Sequence, residues 1–141
     1  MTAKEYLNQA RRLDQLIDIN ICELNYWQDL SRKISSSNFE QNYSSNRNIV
    51  PPFVKCLGKI DELQKEVNSD IDRLVDLREQ IKLSIKSVRN PNERMVLQLR
   101  YINGQTWEAI AEELHADRST VIRWHGKALY NFVMPQKPMT I

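Results

Sequence analysis

The stretch TWEAIAEELHADRSTVIRWHGKAL, residues 106–129, decides how the rest of the chain is read. Thr106 can cap a helix whose apolar side chains, Trp107, Ile110, Ala111 and Leu114, recur at helical spacing. Asp117 can cap the next helix, with Val121, Trp124, Ala128, Leu129 and Phe132 along one face. Between them lie only His115, Ala116 and Asp117. Two helices crossing through so short a turn need a small residue at the crossing and apolar neighbours that hold the angle. Ala111 is small, and Ile110, Leu114, Ala116, Val121 and Trp124 fill the apolar slots. A left-handed backbone is expected at His115, where glycine is usual and histidine is among the residues that tolerate it. The spacing predicts a helix-turn-helix.

Upstream, Asn90, Pro91 and Glu93 read as a helix start, with Asn90 as cap, Pro91 in the first helical position and Glu93 as a capping-box acid. Val96, Leu97, Leu99 and Tyr101 supply apolar surface before Asn103 and Gly104 end that helix. Residues 89–133 are therefore expected to form a three-helix domain. Residues 134–141, with Pro135 and Pro138, are expected to be a loose tail.

The first 88 residues follow a different period. Tyr6, Ala10, Leu13, Ile17, Asn20, Leu24, Trp27, Ser31 and Ile34 are spaced by alternating fours and threes, a coiled-coil seam over residues 2–34. A second seam over residues 53–88 reads Leu57, Ile60, Gln64, Val67, Ile71, Leu74, Arg78, Ile81, Ile85 and Val88, widened by Leu63 and Leu77. The connecting residues 35–52, rich in Ser and Asn and ending in Pro51 and Pro52, are expected to form a mobile loop. The expected fold is all-α: a long two-helix antiparallel hairpin or coiled coil, paired within one chain or between chains, followed by the three-helix domain. Asn20 could set the register of the seam or lie at a solvated edge. Trp27 and Trp107 are expected in the core.

Composition narrows the classes of function. With 141 residues the chain suits one or two small domains, and three glycines with five prolines favour helix. No apolar run approaches the ~18 residues that span a bilayer. The charged start, with Lys4, Glu5, Arg11, Arg12 and Asp14, does not read as a signal peptide. Cys22 and Cys56 are expected to be buried thiols in a reduced compartment, so a cytoplasmic location follows. His115 and His125 have no partnering ligands in sequence, and neither a phosphate-cradling glycine loop nor a paired catalytic acid is present. The expectation is a chain that is not an enzyme, with no metal and no cofactor.

The net charge of +2 is uninformative, but its placement is not. Residues 118–127 hold Arg118, Arg123 and Lys127 and no acid. With the apolar stripe of the last helix turned inward, Ser119, Arg123, Gly126 and Tyr130 point away, flanked by Thr120, Ile122 and Lys127, and Arg118 stands at the tip. Arg118 or Arg123 can pair with guanine O6 and N7, and Ile122 can meet a thymine methyl. Gly126 costs a helix about 1 kcal/mol relative to alanine, which a groove-facing position would explain. The plainer alternative is a three-helix core with a solvated basic face, or a helical protein-interaction module with little DNA contact.

The runs ERMVLQLRY (93–101), TWEAIAEEL (106–114) and RSTVIRWHGKAL (118–129) resemble region 4 of bacterial sigma factors. That resemblance implies double-stranded DNA, a promoter or operator, and RNA polymerase as partners. It maps the groove-reading positions onto Arg118, Ser119, Thr120, Ile122 and Arg123, with Lys127 near the backbone; Thr106 completes the candidate set. Arg118 matches the usual arginine, whereas Ser119, Thr120, Ile122 and Arg123 depart from the usual residues, so a standard −35 sequence is not implied. As a whole the chain is similar to small phage-encoded late-gene transcription regulators of the RinA/ArpU kind. This implies a nucleoid-associated activator in a bacterial host cell. The two heptad stripes offer more apolar surface than one hairpin seam buries, so a homo-oligomer is expected, with no membrane contact.

Overall fold

The computed structural model describes the backbone of residues 1–40 and 46–141, and side chains outside residues 37–51. Among the described residues every regular element is helical: α1 (Ala3–Glu40), α2 (Asn46–Lys86), α3 (Pro91–Leu97), α4 (Trp107–Glu113) and α5 (Arg118–Asn131). Three short helices thus follow two long ones, as the sequence predicts. The loop expected over residues 35–52 is narrower, because α1 continues to Glu40 and α2 begins at Asn46; residues 41–45 lie outside the described residues. By contacts the chain forms two units, Gln15–Asp72 and a unit joining Met1–Asp14 to Arg73–Ile141.

In the Gln15–Asp72 unit the helical segments pair within one chain and run antiparallel. Trp27, Leu30 and Ile34 line a groove with Pro52, Cys56 and Lys59. The first seam holds: Ile17 and Asn20 are buried, while Leu24, Trp27, Ser31 and Ile34 are half-buried. The second seam holds at Val67, Ile81, Ile85 and Val88 with the widening Leu63 and Leu77, and shifts by one residue only at Cys56 and Asp70, which are buried in place of Leu57 and Ile71. Cys56, Leu63, Val67 and Asp70 face inward, whereas Leu57, Gln64 and Ile71 are exposed. The apolar Leu57 and Ile71 disguise a stripe that contains a carboxylate. Cys22, expected to be buried, is exposed, since it falls two residues past Asn20 and points off the seam; Cys56 is buried.

The other unit begins with a reciprocal cap. The Thr2 N–H donates to Glu5 Oε2 at 3.0 Å and the Glu5 N–H to Thr2 Oγ1 at 3.2 Å, which starts α1. Tyr6, Leu7 and Ala10 then pack with Leu77, Ile81, Ile85 and Val88 of α2 and its exit, and with Leu97, Tyr101, Ala128 and Phe132 of the short helices. Fully burying each such aliphatic side chain is worth roughly 1.5–3 kcal/mol. The three-helix unit therefore shares one core with the start of α1 and the end of α2, a division drawn differently from the sequence boundary at residue 88. Residues 137–141, expected to be loose, are tied to both. Gln9 Nε2 donates to the Met139 carbonyl and Gln80 Nε2 to the Lys137 carbonyl, each at 2.9 Å. In return the Met139 N–H reaches Gln80 Oε1 and the Ile141 N–H reaches Gln9 Oε1. Two glutamines thus satisfy the backbone that the prolines leave without regular structure.

Candidate nucleic-acid interface

The angle between α4 and α5 is set by a second core cluster of Val96, Leu99, Ile110, Ala111 and Val121, covered by Trp107, Leu114, Ala116 and Trp124. His115 has φ 52°, the left-handed turn the sequence predicts. Thr106 caps α4, its Oγ1 accepting from the Ala109 N–H at 3.2 Å. Asp117 occupies the capping position of α5 but its side chain makes no capping bond. Asn90 caps α3 by accepting from the Asn92 N–H. Glu93 does not close a capping box: it is 3 % exposed and accepts instead from Asn131 Nδ2 at the far end of α5. That bond pins the end of α5 to the start of α3, which a local sequence rule could not show.

With Val121, His125 and Ala128 buried, α5 presents its other side to solvent. Arg118, Ser119, Ile122, Arg123, Gly126 and Lys127 are all exposed, Thr120 is half-buried, and Tyr130 is 90 % exposed. A Cβ added at Gly126 would meet nothing within 4 Å, so nothing inside the chain demands glycine there. Thr106 is exposed at the head of α4. The seven candidate residues thus lie on the outside of one helix pair. One feature was missed from sequence: Arg118 Nε meets Glu108 Oε1 at 3.1 Å, so an acid from α4 reaches the tip of α5. Residues 118–127 contain no acid of their own, and a neighbouring helix supplies one.

Behind this face sits a polar network that the sequence reading left aside. His125 Nε2 lies 2.6 Å from the Tyr101 hydroxyl, and Trp107 meets the imidazole edge-on at 4.7 Å. Arg100 stacks over Trp107 at 4.2 Å and its Nη1 donates to the Gln105 carbonyl at 3.0 Å. Burial, and then the charges of Lys4 and Arg100, push the His125 pKa down to about 4. The ring is neutral at pH 7, and with its proton on Nδ1 it accepts from Tyr101. Burial likewise raises the Tyr101 pKa, so the hydroxyl stays a donor. The π turn Gln98–Ile102 aims Tyr101 into this network. Its signal in the sequence was faint: two aromatics and a histidine with no motif spacing.

A small three-helix unit with a left-handed turn and an open outer helix face, following two long helices, defines a helix-turn-helix-like protein. The chain belongs to the family described as "Protein of unknown function (DUF722)", whose match spans residues 59–132, more than half of the 141 residues. Neither a curated protein nor a solved structure matches it. Among the described residues no helix is long and apolar enough to cross a membrane.

Proposed function

We propose that the protein is a DNA-binding transcription regulator, of the phage late-gene kind that its sequence resembles, acting by binding rather than by catalysis. The observation that carries this reading is the outer side of α5: Arg118, Ser119, Ile122, Arg123, Gly126 and Lys127 are all exposed together on a helix whose opposite side is core. A recognition helix needs such a face, cationic and free of bulk where the backbone approaches the groove. Arg118 and Arg123 read bases, Lys127 meets phosphate, and RNA polymerase supplies a second contact that raises occupancy of a small reader. Exposed Leu16, Ile19, Tyr26, Leu57 and Ile71 in the Gln15–Asp72 unit favour a homo-oligomer, which would set two readers on two half-sites.

Arg118→Ala and Arg123→Ala should each weaken binding to the promoter adjoining the gene by ~1–3 kcal/mol and relax preference at one base position. Titration of both variants at fixed salt checks this, and unchanged affinity with unchanged preference in both sinks the assignment. Residues 93–101 resemble the helix with which sigma region 4 meets the polymerase flap, so footprinting with and without polymerase, for the wild type and Arg94→Glu, separates a cooperative activator from an autonomous operator binder. Ile122 at 43 %, Tyr130 at 90 % and Val133 at 66 % exposure favour a second reading, a protein-interaction module using the same helix. Tyr130→Ala separates the two: loss of polymerase contact with intact DNA binding places the protein contact there.

A further inference from the structure

A cavity of about 360 Å³ opens beside the three-helix unit, lined by Ala10, Arg11 and Asp14 of α1, Arg78 of α2, and Tyr101 to Gly104 after α3. Its charged side chains are unpaired. No hydrogen bond or ion pair joins Arg11 or Arg78 to Asp14 or to any other described residue. Both arginines are half-buried, while Asp14, Asn103 and Gly104 at the rim are exposed. Two guanidinium groups held partly out of water, with only the exposed Asp14 carboxylate in the same lining, leave a net positive field, and it is felt nearby. The Arg100 pKa is lowered first by burial and next by the charge of Arg11. Gly104, at φ 69°, has nothing within 4 Å of where a Cβ would stand, so the rim is open there.

We propose that Arg11 and Arg78 form a phosphate-binding site that holds one backbone phosphate of duplex DNA. This rests on the DNA-reading assignment and extends it, adding a contact made by the two long helices. Guanidinium forks match phosphate oxygens with paired N–H donors, and two of them against one carboxylate favour a singly charged phosphodiester. Position supports the backbone rather than a base. Gly104 lies two residues before Thr106 at the head of α4, and Glu108, two residues after Thr106, meets Arg118 at the tip of α5. The site therefore flanks the reading face along α4, where contacts to phosphate fix orientation and carry no sequence information.

The test uses the full chain and a 30-base-pair duplex carrying the promoter, with affinity measured across a salt series. The double variant Arg11→Gln/Arg78→Gln should lower the salt slope by about 0.9, the loss of one phosphate, and should weaken matched and scrambled duplexes by the same factor. Lys65→Gln, an exposed cation of the other unit, should leave the slope within error. An unchanged slope in the double variant, or a loss confined to the matched duplex, overturns the proposal. A second arm keeps the site distinct from the reading face. Inorganic phosphate is titrated while amide shifts of Asn103 and Gly104 are followed by NMR. Arg118→Ala should keep those shifts and the double variant should lose them. If the wild type binds no duplex, the backbone assignment falls with the DNA reading; shifts that persist then identify free phosphate as the ligand. Their absence together with absent DNA binding rejects the site.

Discussion

The two units use long helices in opposite ways. In the unit joining Met1–Asp14 to Arg73–Ile141, the inward side chains are nearly all apolar and most polar ones are satisfied: Tyr6 bonds Gln80, Tyr101 bonds His125 and Glu93 takes Asn131, while Gln105 Oε1 is left without a partner. In the Gln15–Asp72 unit the inward stripe is thin and interrupted. Asn20 is 8 % exposed with no partner for Nδ2, and Leu16, Ile19, Tyr26, Leu57 and Ile71 face outward. A buried amide without a partner costs about 1–3 kcal/mol, and apolar groups in water contribute nothing. The difference teaches where packing is dense: the angle between α4 and α5 rests on a full core, while the helical arms carry one polar defect and exposed apolar surface.

The largest effect should come from the dense core. Ile110 is fully buried between α4 and α5, so Ile110→Ala should destabilise the chain by about 2–5 kcal/mol through lost burial and a cavity. Leu24, half-buried on the thinner seam, should cost less on truncation. Chemical denaturation of both variants checks the ranking, and equal losses break the comparison.

Next in size is the pH dependence of the buried histidine. Its folded pKa of about 4 lies below the ordinary 6.5, so the unfolded chain binds the proton more readily. The stability linked to this group is complete above pH 6.5 and is lost as pH falls from 6.5 towards 4, on the order of 3 kcal/mol. His125→Phe should flatten the stability profile across that window. A profile that falls just as steeply in the variant removes His125 as its source.

How far the chain was legible follows the same division. The caps at Asn90 and Thr106, the small Ala111 and the turn at His115 act locally, within a few residues, so the sequence displays them. The partners of Glu93, His125, Gln9 and Gln80 lie far along the chain and follow no periodic rule. The α2 seam is legible at Val67, Ile81, Ile85 and Val88 and shifts by one position at Cys56 and Asp70, because Leu57 and Ile71 outweigh them on any hydrophobicity count. On α5 the exposed positions followed from helix geometry alone; the acid opposite Arg118 did not, since it belongs to α4.

A smaller effect, of opposite sign, is expected at Asn20. Replacing it with leucine removes an unsatisfied buried amide and extends the apolar seam. Asn20→Leu should raise stability by about 1–2 kcal/mol, and if the amide limits how copies associate, it should also change the sedimentation of the full chain. A destabilised Asn20→Leu would show that the amide has a partner in the assembled protein and that the arm is not the looser of the two units.

The smallest stability effects should come from exposed ion pairs, and here the two units should part in function. Arg118–Glu108 at 3.1 Å and Lys65–Asp61 at 3.0 Å are both solvent-exposed, one in each unit. Such pairs contribute roughly 0–1 kcal/mol, because water screens them and long side chains lose freedom in forming them. Glu108→Gln and Asp61→Asn should therefore each change stability by less than about 0.5 kcal/mol. On DNA the two should differ. Glu108 occupies one donor edge of Arg118, and under the proposed DNA-reading role it places a negative charge beside the phosphates, so its neutralisation releases the guanidinium and removes a repulsion. Glu108→Gln should tighten duplex binding by a factor of about 2–5, within what one exposed charge can supply, and more so at low salt. Asp61→Asn should tighten it little, since its lysine lies on the helical arm and not on the reading face. Binding of both variants at 50 and 200 mM salt makes the comparison. If Glu108→Gln weakens binding instead, the carboxylate holds Arg118 in its reading position, and Glu108 joins the recognition apparatus as a positioning residue.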